Sequence, residues 1–455
     1  MRRHSTSICT TLALVLTGCA TSPGPLDDDP TALSFAAPSA KRVSPRIQDT
    51  VALNTESGPD DYVKLALQRN PSIRSAQERL KMLAERVPQV TSLNDPMFMI
   101  TPIGDMAETA AGQTDWTASV SQKLPFPGKL DATGRIANQN IAMARQDLEQ
   151  TRLSVIADTR RAWWNLYYAT RAIEVTQASR KLVEQFRHVA QAKLRAGTAT
   201  QQDVLRASVE LSNTDNDLLT LKQNRSTAAA MLNSLMDRPV DAQLPDPPTV
   251  KLRNTALKLD RLLQESADAN PQVQKVQERI KAYHQRLRLA RLNRWPDLTV
   301  GLNYTAVENS GLSPVANGDD QWTVGFGFNL PIWNSRLDAA EREARRGILQ
   351  GSADLQQARN MIAFQVKDAL VKVETQHRQA VLFRDVIIPQ ARQTVDASQT
   401  GYQANKVSFL TLIDNWRKLL NFELMNHRSL SQFEQELAEL QRVVGKDIER
   451  EGDQS

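Results

Sequence analysis

Five histidines, two cysteines and three clustered methionines are the residues whose types could do chemistry, and their spacing decides what they can do. Histidines at 4, 188, 284, 377 and 427 form no HExxH pair or comparable ligand spacing, so no metal site is read from them. No GxSxG elbow, P-loop or dinucleotide fingerprint occurs, and Gly325 and Gly327 lie in an alternating strand pattern where small side chains suit the period. With no thiol nucleophile in the body of the chain, the reading is of a non-enzyme without cofactors. Met97, Met99 and Met106 are the one remaining hint, because thioethers favour Cu(I). Aligning Pro96 with Pro296 predicts that Met97 and Met99 point to the polar side of the first strand. Ordinary contacts at a sheet rim are the alternative.

Those residues need elements to hold them. A chain of 455 residues with 24% charge excludes a polytopic helical membrane protein, and no apolar run reaches the roughly 18 residues of a spanning helix. The basic excess is only +5 and is spread along helical stretches, which argues against nucleic acid. Met1 to His4 form a positive n-region, Ile8 to Leu16 an apolar segment, and Leu16-Thr17-Gly18-Cys19 resembles a bacterial lipobox. Residues 1–18 are therefore expected to be a signal peptide, with Cys19 the lipidation site. The alternative is an ordinary signal with an incidental cysteine. Cys9 would leave with the signal, so no internal disulfide is expected. Residues 19–58, rich in Pro, Ser, Ala and Asp, read as a lipidated tether, with Ala20 rather than aspartate after the cysteine.

The rest of the chain repeats. Asn70-Pro71 recurs as Asn270-Pro271, Trp116-Thr117 as Trp322-Thr323, Leu124-Pro125 as Leu330-Pro331, and Ala196-Gly197-Thr198 as Ala404-Asn405-Lys406. The shared order predicts repeats over 60–245 and 260–445, a proline-rich joint at Pro245, Pro247 and Pro248, and a tail at 446–455. Each repeat holds a strand pair: about 97–102 and 114–124, then about 297–308 and 320–330. Trp322, Val324, Phe326, Phe328 and Leu330 alternate with Thr323, Gly325, Gly327 and Asn329, apolar on one side only. Only the first strand is poorly patterned. Such runs read as membrane-barrel wall, or as an amphipathic sheet lying on a helix. Four strands cannot close a barrel, so a lipid-facing wall would make oligomerisation obligatory.

Long helices follow each pair. Ile362, Val366, Ala369, Val373, Gln376, Ala380, Phe383 and Ile387 share one seam at coiled-coil spacing. Ile141, Ala144, Leu148, Val155, Ala162 and Ala169 do the same, with Thr151, Asp158 and Asn165 on that seam. The stretch from Asp131 to Leu194 would span roughly 95 Å. Pro389 should bend the second long helix. The fold class is mainly α with a small β part: two tandem repeats, each a strand pair plus a coiled-coil hairpin.

With its two-fold repeat, Leu-Pro strand exits, lipobox and the tip Tyr402-Gln403-Ala404-Asn405-Lys406-Val407-Ser408-Phe409-Leu410, the chain resembles the TolC-type outer-membrane factors over about 60–445. The Pro125-Phe126-Pro127-Gly128-Lys129 exit is similar to that of heavy-metal efflux ducts. The resemblance implies a homotrimer with a 12-stranded β-barrel in outer-membrane lipid and an α-helical periplasmic tunnel. It also implies a periplasmic adaptor and an inner-membrane pump of the resistance-nodulation-division type, the chain serving as their exit channel. Metal cations, drugs or organic solutes are the alternative cargoes, with a type I secretion duct a further reading. A structural coiled-coil envelope lipoprotein would explain Cys19 and the helices, but not the duplicated strands.

Residue by residue, the resemblance puts Asp414 on an acidic gate position and Tyr402 on a tyrosine whose polar contacts help hold the tip shut. Thr411 occupies a second, often acidic position and Asp203 is its first-repeat counterpart. Val407 stands where some members carry arginine. Gly197, Thr198, Asn405, Lys406 and Ser408 fall on adaptor-docking tips. Simpler readings remain: Asp414 as a solvated helix residue, and Asp203 as the capping partner of Thr200. Asn405 replaces glycine at a turn, where asparagine tolerates the left-handed conformation.

Overall fold

The computed structural model describes residues 53–104, 108–109, 111–252, 257–309 and 318–448. Cys19, the proposed signal, Met106 and residues 449–455 lie outside the described residues. Helix α1 (Pro59–Arg69) starts where Asp61 accepts the Gly58 amide at 3.2 Å. The sequence suggests one helix from Pro59 to about Val87, but the chain breaks at Asn70 (ψ 124°), because Pro71 disfavours helical backbone in the residue before it. Helices α2 (Pro71–Ala84) and α3 (Arg86–Thr91) follow. The second repeat opens the same way with α6 (Leu259–Ala269) and α7 (Pro271–Leu292).

The recurring Asn-Pro pairs close each repeat on itself. Asn70 Oδ1 accepts the Ser72 amide, while its Nδ2 donates to Leu235 O at 2.9 Å at the end of α5 (Gln201–Leu235). Asn270 Oδ1 accepts the Gln272 amide, and its Nδ2 donates to Val443 O at 2.7 Å near the end of α10 (Phe409–Val444). Both asparagines are buried. One side chain thus caps a helix start and ties down the last helix of the same repeat.

Among the described residues five strands form one antiparallel sheet: β1 (Met97–Pro102), β2 (Glu108–Thr109), β3 (Gly112–Leu124), β4 (Leu298–Glu308) and β5 (Gln321–Phe328). The order is β1-β3-β4-β5, with β2 a short addition to β3. Directly opposed residues share a face. Phe98, Val120, Leu302 and Val324 form one row, and Ile100, Ala118, Tyr304 and Trp322 another. On the opposite face lie Met97, Ser121, Gly301 and Gly325, then Met99, Ser119, Asn303 and Thr323. Register thus resolves the poorly patterned β1: Phe98 and Ile100 belong to the apolar face, Met97 and Met99 to the polar one. The apolar face is uncovered, with Trp322 72% and Phe326 67% exposed. Neither outer edge, on β1 or on β5, has a strand partner among the described residues.

A buried ion cluster fixes the exit from the sheet. Asp297, one residue before β4, accepts Lys129 Nζ at 2.6 Å and the Phe126 amide at 2.9 Å, and Lys123 Nζ lies 3.2 Å from its other oxygen. Asn329, just past β5, accepts the Asp297 amide, and Phe126 stacks on Trp295 with ring centroids 5.3 Å apart. Gly128 turns the chain with φ 92°, and α4 (Lys129–Arg195) begins at once. Burial pushes the Asp297 carboxyl up, yet the hydrogen bonds from Lys129, Phe126 and Lys123 together outweigh it and hold the group below its usual range.

Helix α4 has 67 residues, about 100 Å. Its counterpart is α8 (Asn334–Leu382), one π-helical turn (Phe383–Ile387) and α9 (Ile388–Gln403). Pro389 explains the wide turn: it offers no amide to the carbonyl four residues back, and its ring crowds that carbonyl. In α8 the predicted seam is buried at Ile362, Val366, Ala369, Val373 and Ala380. In α4 it holds at Ala144, Val155, Ala162 and Ala169, but Asn165 is exposed and binds Gln435. Its neighbours Trp163, Trp164, Leu166 and Tyr167 are buried instead, in a core shared with Tyr62 and Leu65 of α1 and Leu232 of α5. The flanking helices displace the seam there.

Candidate functional site: the paired hairpin tips

The two hairpins end side by side around one apolar core. Val183, Phe186 and Ala190 of α4 and Ala207 and Leu211 of α5 pack with Val395 and Tyr402 of α9 and Phe409, Leu412 and Trp416 of α10. Each tip turns identically. Thr198 N donates to Lys193 O at 2.9 Å and Lys406 N to Gly401 O at 2.8 Å, each bridging the last helical turn across a left-handed residue. Those residues are Gly197 (φ 72°) and Asn405 (φ 59°), the geometry of a Schellman stop. Asparagine does take the left-handed position. Gly401 is required for space as well: a Cβ there would stand 2.6 Å from Val407 Cγ2.

Ser408 caps α10, its Oγ accepting the Thr411 amide at 3.2 Å and lying 2.9 Å from Thr411 Oγ1. Thr411 therefore serves the helix start. Asp203 does the same for α5, accepting the Thr200 amide at 3.5 Å. Asp414 stands on the exposed side of α10, with Lys418 Nζ 2.7 Å from its Oδ2. A single chain thus presents Asp414 as a solvated, ion-paired helix residue. Gly197, Thr198, Asn405, Lys406 and Ser408 are all exposed at the tips.

Tyr402 is the buried member of the group, 5% exposed and packed on Phe409 with centroids 5.2 Å apart. Its hydroxyl has no hydrogen-bond partner among the described residues. Burial, with a smaller contribution from the Asp203 carboxylate, pushes its pKa up to about 12. The structure therefore brings Tyr402 and Asp203 near each other without a hydrogen bond between them. With valine at 407, no arginine reaches that hydroxyl.

Two cross-hairpin ties carry what the tyrosine hydroxyl does not, and neither was visible in sequence. Lys193, near the end of α4, donates to Tyr402 O at 2.5 Å, Gln403 O at 3.1 Å and Asn405 Oδ1 at 2.5 Å, with its ammonium 4.8 Å from the Tyr402 ring centre. Further along, Arg417 of α10 grips buried Glu210 of α5 through two nitrogens, with Nε to Oε2 at 2.9 Å. The only available signal was a mismatch between the repeats: Lys193 stands where the second tip has Gly401.

A duplicated frame of this kind, with a one-sided sheet and an outgoing helix about 100 Å long, agrees with what comparison shows. Residues 62–237 and 262–446 match the family described as outer membrane efflux protein, and the chain belongs to that family. It is 25% identical over 241 residues to the toxin and drug export protein A of Aggregatibacter actinomycetemcomitans. That match covers 50% of this chain and 51% of that protein, so the chain spans about half the length of this relative. It is 20% identical over 343 residues to the cobalt-zinc-cadmium resistance protein CzcC of Cupriavidus metallidurans, covering 72% of this chain and 77% of that one. Among solved structures, the outer membrane protein VceC of Vibrio cholerae superposes with a TM-score of 0.70 at 18% identity, over 86% of this chain and 97% of VceC.

Proposed function

We propose that the chain is the outer-membrane channel of a tripartite efflux system, passing solutes from an inner-membrane pump and a periplasmic adaptor to the exterior. The observation that carries this reading is the sheet: one face apolar and uncovered, the other small and polar, both edges unpaired among the described residues, continued by a helix about 100 Å long. An open edge in hydrocarbon leaves amides and carbonyls unsatisfied, so the edges must pair between chains. Three copies of four long strands make a 12-stranded barrel, its polar face toward the lumen and its apolar face toward lipid. Acylation of Cys19 anchors the N-terminus in the outer membrane. The partners are then two further copies, an adaptor of coiled-coil type seated on Gly197, Thr198, Asn405, Lys406 and Ser408, and a pump of the resistance-nodulation-division type.

Metal cations and organic molecules are both supported as cargo, since the relatives include a cobalt-zinc-cadmium resistance protein and a drug export protein. Met97 and Met99 on the polar sheet face would offer soft ligands to a passing Cu(I) or Ag(I). Deleting the gene and testing sensitivity to copper, zinc, silver and a drug panel separates the cargoes. Protein extracted from membranes should migrate as a heat-sensitive trimer. A monomer that leaves the membrane without detergent would refute the channel.

Asp414 remains the proposed acidic gate position, three copies facing one another across the pore. Replacing it with asparagine is expected to weaken block by divalent cations in planar bilayers. Because Lys418 already pairs with each carboxylate, the expected change in blocking concentration is modest, about threefold. An unchanged block would remove Asp414 from the gate.

A further inference from the structure

We propose that Lys193 is the clasp of the periplasmic tip, tying the first hairpin of each chain to the second and holding the closed arrangement in place of the Tyr402 hydroxyl. The inference rests on the channel reading above and goes beyond it by naming what holds the tip and what does not.

The geometry is specific. The ammonium of Lys193 reaches across to the end of α9, where the last carbonyls of a helix carry partial negative charge and lack intrahelical donors. It takes two of them, Tyr402 O and Gln403 O, together with the Asn405 side-chain oxygen. Three acceptors match the three protons of an ammonium. All three belong to the other hairpin, more than 200 residues away in sequence. The same lysine covers the Tyr402 ring, so the ring is held by its face and by its backbone while its hydroxyl has no hydrogen-bond partner among the described residues.

Divergence of the two repeats makes the device one-directional. At the second tip the equivalent of Lys193 is Gly401, whose missing side chain admits Val407. No lysine there can reach back. Each chain therefore has a single clasp, from the first hairpin to the second, and the left-handed turn at Asn405 presents the third acceptor to it. The clasp therefore binds the backbone and ring face of Tyr402, and its hold does not depend on the Tyr402 hydroxyl.

The test uses full-length protein in planar bilayers, comparing Lys193→Met, Lys193→Arg, Asn405→Gly and Tyr402→Phe. Lys193→Met keeps a long unbranched side chain and removes the donors; the fraction of time the tip conducts is expected to rise about tenfold or more, the scale of charge-assisted hydrogen bonds. Asn405→Gly preserves the left-handed turn and removes one acceptor, giving a smaller rise, and Lys193→Arg restores part of the closure. Tyr402→Phe should leave the channel as closed as wild type or more so. Amide hydrogen exchange of residues 402–412, which requires no channel, should rise about tenfold in Lys193→Met and stay at the wild-type level in Tyr402→Phe. Wild-type exchange in Lys193→Met, or opening by Tyr402→Phe equal to that by Lys193→Met, overturns the clasp. A wild-type protein that forms no channel refutes the efflux reading instead, and the exchange measurement still decides the clasp.

Discussion

Replacing Asp297 with leucine is expected to destabilise the protein by ~3–5 kcal/mol, because it leaves the ammonium of Lys129 buried without its counter-charge. Lys129 is nine-tenths buried, and its remaining acceptor is the Trp295 carbonyl at 3.0 Å. Lys123 is half exposed and can turn to water, so it adds little to the loss. The double variant Asp297→Leu with Lys129→Met should recover most of the stability, since removing both charges removes the uncompensated one. The Phe126 amide still loses its acceptor, which leaves a residual cost of ~1 kcal/mol. Denaturant unfolding of detergent-extracted protein, followed by loss of helical ellipticity, measures both. A single variant within 1 kcal/mol of wild type would show that the cluster does not hold the exit from the sheet.

The same carboxylate sets a pH signature. Its folded-state pKa lies below the unfolded value, so the folded state binds the proton less readily and the stabilisation is complete above the unfolded value of about 3.9. It is lost as the pH falls through the folded value. Wild-type and Asp297→Leu proteins should therefore differ most at neutral pH, begin to converge as the pH falls below about 4, and meet only below the folded-state value.

How much of this could be read from the chain alone depends on whether the cause of each feature is local. Strand β5 (Gln321–Phe328) alternates because each of its faces meets one kind of surroundings, so period two is written in its own residues. Strand β1 shows no such pattern, since both Met97 and Phe98 are apolar; only its register against Ser121 and Val120 separates the faces. Along α4 the heptad fails at Asn165 because α1 and α5 bury the flanks of the helix, and the tryptophans outrank the seam. The left-handed turn at Asn405 was legible because asparagine replacing glycine at a duplicated turn has a backbone explanation. Lys193 and Asp297 were not. Each draws its meaning from partners on a segment more than 160 residues away, and an isolated lysine or aspartate reads as solvated surface.

Replacing Arg417 with methionine is expected to loosen the tip by ~3 kcal/mol, the second large effect. Glu210 is 6% exposed and lies on α5, while Arg417 lies on α10, so the pair joins the two hairpins below the clasp. Taking away the guanidinium strands a buried carboxylate. The cost falls at the low end for a broken buried pair because the Arg417 side chain is itself half exposed and water can reach part of the site. Glu210→Gln combined with Arg417→Met should recover about half of the loss, since the charge is gone but the polar side chain still needs partners. Because the tie crosses between hairpins, the effect should appear as faster amide exchange in residues 203–215 and 409–420, while the region around Trp163 keeps wild-type protection. Protection lost equally around Trp163 would mean that the pair stabilises the whole chain rather than the tip. Combined with Lys193→Met, additive effects would mark two independent ties; a larger-than-additive rise would show that both hold a single closed arrangement.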